Sequence, residues 1–231
     1  MYRTLLFIVA FTGFGLANAQ MIVAPIKQKY WASSSELIFS FGNVEDPNLD
    51  VNNVLRFSCF LHVQEQLHYN FTNHVGVFTG LSLRNVGFIN DLNDTVKLKQ
   101  RVYTLGLPVG IKLGNMSSST YATIGVEGEL AFHYKQKVFV NDEKSRTSIW
   151  FSNRTNTFLP SAFVDINFKN GAYVRFKYYL DDFLIGKNQK INVAGVSFNP
   201  TQSTLFYISL GLVLPSYKSN KINIPGTNNN L

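Results

Sequence analysis

One cysteine, Cys59, is all that a chain of 231 residues carries, so neither an intrachain disulfide framework nor a cysteine-rich metal site can form. Charged residues are scarce at 15%, against 45% hydrophobic, which excludes a chain too polar to fold. Acidic residues number 14 against 21 Lys and Arg, a formal charge of +7; alone, that balance suits nucleic acid, anionic lipid or no specific partner. Past the first twenty positions no uninterrupted apolar stretch reaches the roughly 20 residues a membrane-spanning helix needs, and a helical membrane protein is excluded. A nucleotide-binding glycine loop, a serine elbow and a zinc-protease motif are also missing. The expectation is a protein that is not an enzyme, takes no cofactor and binds no nucleic acid.

What is present begins with MYRTLLFIVAFTGFGLANAQ, in which Arg3 precedes an apolar run through Leu16 and the small triplet Ala17, Asn18, Ala19. This reads as a secretory signal peptide over residues 1–19, cleaved after Ala19. With no cysteine at the cleavage site, it is not the signal of a lipoprotein.

After the signal, a period of two dominates. Between 55 and 69 the odd positions are Leu55, Phe57, Cys59, Leu61, Val63, Glu65, Leu67 and Tyr69, and the even ones include Arg56, His62, Gln64, Gln66 and His68. Tyr103, Leu105, Leu107, Val109, Ile111 and Leu113 repeat the oily row, with Gly106, Pro108, Gly110 and Lys112 between them. From 122 to 134 the oily row reads Ala122, Ile124, Val126, Leu130, Phe132 and Tyr134, opposite Glu127, Glu129 and His133. Strict alternation marks strands with one apolar face.

Eight strands are expected, near 33–43, 54–69, 74–88, 100–113, 121–138, 158–169, 171–182 and 203–216. Short connections at 70–73, 114–120 and Asn170-Gly171 alternate with longer ones at 44–53, 89–99, 139–157 and 183–202. That rhythm predicts an all-β fold, an eight-stranded antiparallel up-and-down transmembrane β-barrel in the outer membrane, with short turns and both termini in the periplasm. A soluble lipocalin-like barrel would turn the same oily row inward. Three features favour the membrane form: strand lengths near the 9 to 11 residues that cross a bilayer at a tilt, glycines on the wet rows (Gly106, Gly110, Gly125, Gly211), and aromatics near strand ends. The last group is Tyr30, Trp31, Tyr69, Phe71, Phe88, Tyr103, Phe132, Tyr134, Phe158 and Tyr217. The expected layout is a signal over 1–19, a periplasmic segment over 20–32, the barrel over 33–217 and a periplasmic tail over 218–231.

The stretch from Val102 to Gly114, with its Leu107-Pro108 step, resembles a strand of the porin-like outer-membrane β-barrel family of Bacteroidota. The segments Gly76-Val-Phe-Thr-Gly80-Leu-Ser-Leu and Gly125-Val-Glu-Gly128 are similar to its neighbouring strands. The resemblance implies a small eight-stranded outer-membrane barrel and supplies no catalytic residues.

Arg56, His62, Lys112, Glu127, Glu129, Asp165, Arg175, Lys177 and Asp181 fall on wet rows, so a lumen network of paired charges is expected. Glu127 and Glu129 have the spacing of an acid-base pair, but nearby cations would make them structural. His62, His68, His74 and His133 lack compact ligand spacing, and no metal site is expected. In the long connections, Arg146, Trp150, Arg154 and Lys187 are candidates for external interaction, while Ile149-Trp-Phe151 and Phe183-Leu-Ile185 are expected to extend strands above the membrane. The expected partners are outer-membrane lipid and lipopolysaccharide, and other outer-membrane or periplasmic proteins. The function expected is a non-enzymatic structural or accessory barrel of a larger outer-membrane complex, with a small-solute channel or ligand-binding barrel as the alternative.

Overall fold

The structure, a computed structural model, describes residues 28–141, 143–186, 191–193 and 195–215. The signal, the Tyr217 aromatic, Lys187 and the tail over 218–231 lie outside the described residues. Among the described residues thirteen strands follow in chain order: β1 (Lys29–Glu45), β2 (Asn52–Val54), β3 (Arg56–Ser58), β4 (Val63–Asn70), β5 (Val75–Asp91), β6 (Val96–Asn115), β7 (Thr120–Val140), β8 (Glu143–Trp150), β9 (Phe158–Asn167), β10 (Ala172–Tyr179), β11 (Ile191–Val193), β12 (Val196–Phe198) and β13 (Gln202–Pro215). No helix among the described residues is long and apolar enough to cross a membrane.

Eight of these strands close a ring in the order β1, β4, β5, β6, β7, β9, β10, β13, and β13 returns to β1. All neighbours are antiparallel, and the closing seam runs from Ala32 opposite Pro215 to Glu45 opposite Gln202. Closure matters because an unpaired amide or carbonyl in hydrocarbon costs several kcal/mol. A sheet without edges can therefore turn its oily face to lipid, and this one does: Leu105, Leu107, Val109, Ile111 and Leu113 all point outward, Leu107 with 55% of its surface exposed. The fold is an eight-stranded transmembrane β-barrel. In a soluble barrel those same residues would fill the centre.

Short turns at 71–74, 116–119 and 168–171 share one end with Lys29 and Pro215, the first and last strand residues. At the opposite end the connection expected over 89–99 shrinks to 92–95, because β5 and β6 keep pairing to Asp91 opposite Lys97. Asn93 stabilises that tight turn by accepting from the Thr95 amide, the Thr95 hydroxyl and the Val96 amide. The segment expected as one strand over 54–69 is broken instead. Ser58 pairs Ile38 and Val63 pairs Ser35, so 59–62 contains extra residues, and Leu61 takes a left-handed backbone with φ 58°. The strand expected to reach 182 ends at Tyr179, where the chain turns in.

A change of polarity sense along the long strands sets the membrane boundary. On β6 the outward row is apolar from Leu113 up to Leu105, passes through Tyr103, and becomes Arg101, Lys99 and Lys97. The inward row changes in the opposite direction, from Lys112 and the glycines to Val102, Leu98 and Val96. Below Tyr103 the barrel is built for lipid; above it, for water. The apolar row from Leu113 to Tyr103 spans about 25 Å at a tilt, the height of a bilayer's apolar band.

On β7 the switch is made by a bulge. Tyr103 pairs His133 but Thr104 pairs Ala131, so Phe132 is the extra residue. A one-residue insertion exchanges the two faces of everything beyond it. Tyr134, expected on the oily outer row, is therefore inside at 1% exposure, and His133, expected on the wet inner row, is outside. Of the aromatics expected at strand ends, Trp31, Tyr69, Phe71, Tyr103, Phe132 and Phe158 sit on the outer wall. Phe88 and Tyr134 are instead fully inside, and Tyr30 stacks on the inward His68 with ring centroids 4.6 Å apart.

Candidate functional site

The interior has two storeys. Across the middle of the membrane band, charged side chains from five strands form one alternating series: Asp165, Arg175, Glu36, Arg84, Glu127, Lys177, Glu129. Arg175 grips Asp165 with two bonds, Nε to Oδ1 at 2.6 Å and Nη2 to Oδ2 at 2.8 Å, the forked geometry that suits guanidinium and carboxylate. Its Nη1 lies 3.9 Å from Glu36. Glu36 also accepts Nε of Arg84 at 2.6 Å and the Ser209 hydroxyl at 2.7 Å. Arg84 reaches Glu127, whose other oxygen accepts Lys177 Nζ at 2.7 Å. Lys177 bridges on to Glu129, which also accepts the Tyr179 hydroxyl at 2.9 Å. Gln64 contributes Oε1 to both Arg84 and Arg175.

Each ion in this chain has at least one opposite neighbour, which is what buried charge requires, since an unpaired ion would face several kcal/mol of desolvation. Glycine makes the room. A Cβ on Gly106 would overlap the Glu127 carboxylate and the Ser82 hydroxyl, and one on Gly211 would overlap the Tyr173 ring. Between Gln66, His68, Tyr121, Asp165, Tyr173 and Arg175 a void of ≈ 10 Å³ is left, room for about one water.

Above the ionic layer lies an apolar plug. Val86, Phe88, Leu98, Val102 and Tyr207 project in from the strands, and the connection after β10 folds Phe183 and Leu184 down onto them, with Phe198 of β12. Phe183 and Phe88 rings meet edge to face at 5.1 Å. The Phe183 amide bonds the Ser203 carbonyl, and Asp182 accepts the Ser203 amide at 2.6 Å. Phe183-Leu-Ile185 thus caps the barrel and does not extend a strand, whereas Ile149 and Trp150 do lie in strand β8.

Among the residues expected in the lumen, Glu127, Glu129, Asp165, Arg175 and Lys177 are members of the ionic chain. Three others are buried elsewhere. Lys112 sits near the short-turn end on Asn70 at 2.6 Å, between the rings of Tyr30 and Tyr121. Arg56 bonds the Asn85 carbonyl and side chain, filling a stretch where β3 and β5 do not pair. His62 meets the Ser58 hydroxyl at 2.8 Å. Asp181 is exposed just past the end of β10, because the strand stops before it. Sequence reasoning missed Glu36 and Arg84, the two hubs. Both were marked by alternation: Glu36 lies between Ser34 and Ile38, opposite Leu37 and Phe39, and Arg84 continues the row of Phe78 and Ser82.

Glu127 and Glu129, the spacing that suggests acid-base work, share Lys177 between them. Their geometry is that of an ion-pair network. The four histidines are scattered: His62 and His68 inside, His133 on the outer wall, His74 in an exposed turn. Of the external candidates, Arg146 and Trp150 are exposed on β8, while Arg154 bonds Gln136 at 3.1 Å and leans on the barrel mouth.

Two features of the outer wall had no place among the candidates. Glu65 points to the lipid side of β4, four residues above the aromatic Tyr69, between Ser33 of β1 and Leu81 of β5. No described side chain forms an ion pair with it. The second is the outward basic face of β6, β7 and β8 above Tyr103, of which Arg146 alone was among the candidates.

No family model matches this chain, and no curated protein matches it. The assignment to a Bacteroidota family is not supported. Solved structures that resemble it are small outer-membrane barrels. Ail, the attachment invasion locus protein of Yersinia pestis, is 10% identical with a TM-score of 0.40, covering 81% of this chain and 99% of its own. Neisserial surface protein A is 9% identical with a TM-score of 0.40 over 81% and 99%. OprG of Pseudomonas aeruginosa is 12% identical with a TM-score of 0.32 over 84% and 99%.

Proposed function

We propose that this chain is a non-enzymatic outer-membrane β-barrel that serves as a structural or accessory subunit of a larger outer-membrane complex. In this reading residues 1–19 are the export signal, the barrel occupies 33–217, and the segments 20–32 and 218–231 face the periplasm. The observation that carries it is the filled interior: an ionic chain across the membrane band, an apolar plug above it, and a void that holds about one water. An interior packed in this way among the described residues speaks against the channel alternative, and the working surfaces are then the outer wall and the ends.

Glu65 supports the subunit role. A carboxyl on a lipid-facing row is unfavourable for a solitary barrel, and intramembrane ionisable groups are retained where a neighbour meets them. With the Ser33 and Ser35 hydroxyls on the adjacent strand, it gives that wall a polar spot for a partner's hydrogen-bonding side chain. The test is purification from native membranes in mild detergent, followed by mass spectrometry of co-purifying chains, with planar-bilayer recording of the isolated barrel. Stoichiometric recovery of a partner that Glu65→Leu abolishes, with no reproducible conductance, is the expected result. A barrel recovered alone, or one with steady ion conductance, overturns the reading.

A further inference from the structure

Above the aromatic rim, β6, β7 and β8 form a three-stranded wall whose outward residues are almost all cations. Lys99 of β6 pairs Lys137 of β7, which pairs Arg146 of β8, three positive side chains side by side in register. One step nearer the membrane, Arg101 pairs Lys135. One step farther, Lys97 and Lys144 flank Phe139 from either side. Among the described residues of these three strands no carboxylate shares this face: Glu143, the one acid on β8, stands opposite Val140 on the other side. Asp91 at the β5 edge pairs Lys97 at 3.4 Å and leaves the rest unneutralised.

Like charges directly across a sheet repel, so a solvated wall with no further role would be expected to mix signs. The repulsion registers on Lys137, whose ammonium is pushed below the usual lysine range by its surroundings, through partial burial first and then through Lys144, Arg101, Arg146 and Lys99. The wall is also braced by aromatics. Arg101 and Lys135 both lie over the Tyr103 ring, at 5.7 and 5.0 Å, and Lys99 and Lys144 over Phe139, at 5.1 and 5.9 Å. The β7 bulge is what creates this face: if the strand ran through Phe132 in regular alternation, Lys135 and Lys137 would point into the apolar plug.

Height identifies the ligand. Tyr103, His133, Phe132 and Trp150 form a stacked cluster at the top of the lipid band, with His133 and Trp150 centroids 4.3 Å apart. Arg101 and Lys135 start two residues above it, about 5 Å along a tilted strand, and the Lys99 row about 10 Å, within the headgroup layer of a bilayer. Lateral spacing between paired cations is about 4.8 Å, close enough for one phosphate to bridge two of them.

We infer that this wall binds the phosphates of phosphorylated outer-leaflet saccharolipid, holding the lipid against the barrel with its acyl chains on Leu105, Leu130 and their neighbours. This rests on the outer-membrane location proposed above and names a lipid partner for the wall. The mature chain, refolded in detergent, is tested by native mass spectrometry with bis-phosphorylated lipid A and with the same lipid dephosphorylated. Expected are retention of the phosphorylated form, weakening as salt rises, and at least a tenfold loss in the triple variant Lys99→Gln, Lys137→Gln, Arg146→Gln. Lys29→Gln, at the opposite end, retains the wild-type affinity. Equal retention of the dephosphorylated lipid, an unchanged triple variant with folded mobility on unheated gels, or a preference for inorganic polyphosphate over lipid A at equal phosphate overturns the inference. If the triple variant does not refold, the wild-type comparison of the two lipids decides. None of these outcomes touches conductance or partner recovery, on which the subunit reading stands.

Discussion

Lys177 is the side chain whose removal tests the sealed lumen most directly. Its ammonium and the carboxylates of Glu127 and Glu129 are all at 0% side-chain exposure. At an effective dielectric of about 20, unit charges 2.7 Å apart, the distance to Glu127, attract by about 6 kcal/mol, and desolvation cancels a large part of that. Replacing Lys177 by Met removes the attraction but leaves two carboxylates buried with one cation, Arg84, still on Glu127. Breaking a buried pair in this way costs about 3–5 kcal/mol. The expected result is a lower urea midpoint for the barrel refolded into phosphatidylcholine vesicles, followed by the fluorescence of Trp31 and Trp150. Adding Glu129→Gln to Lys177→Met removes the orphaned charge and recovers part of the loss, so the double variant is more stable than the single. A Lys177→Met barrel within about 1 kcal/mol of the parent, or a double variant less stable than the single, would falsify the claim that this layer is a mutually compensated ionic network.

Three further outcomes follow from the same geometry. Glu65→Leu stabilises the isolated barrel in vesicles by about 1–2 kcal/mol, because a lipid-facing carboxyl is replaced by an apolar side chain; a loss of stability by urea titration would mean that Glu65 has a partner within its own barrel. Gly106→Ala lowers stability by about 1–3 kcal/mol by overpacking against Glu127 and Ser82, measured in the same titration, and an unchanged midpoint would show that the lumen has slack there. Deleting Phe132 removes the bulge, sets His133 directly after Ala131 in regular alternation and keeps Lys135 and Lys137 on the outer face, so the barrel still refolds, scored by the mobility of unheated samples on gels; loss of folding would contradict the assignment of Phe132 as the one extra residue of β7.

Alternation in the amino-acid sequence determined the barrel, because a lipid-facing wall demands a period of two and closure demands paired ends. Leu105 to Leu113 and Phe206 to Leu214 carry that pattern openly, and so do the inward Glu127, Arg175 and Lys177. Glu36 and Arg84 were equally legible by parity, Glu36 beside outward Leu37 and Arg84 beside outward Leu83. Three things were decided only by tertiary structure. The outward extension of β5 and β6 was hidden because Val96, Leu98 and Val102 reverse the polarity sense of the rows below Tyr103, and only an interior core above the membrane explains why. The bulge at Phe132 leaves no mark in composition, since one extra residue shifts phase without changing content, yet it decides which lysines meet water. Which cation answers which carboxylate was likewise beyond a one-dimensional reading: Glu36 and Arg84 lie on β1 and β5, separated by 48 positions, and meet because closing eight tilted strands brings their inward side chains to one level of a narrow lumen.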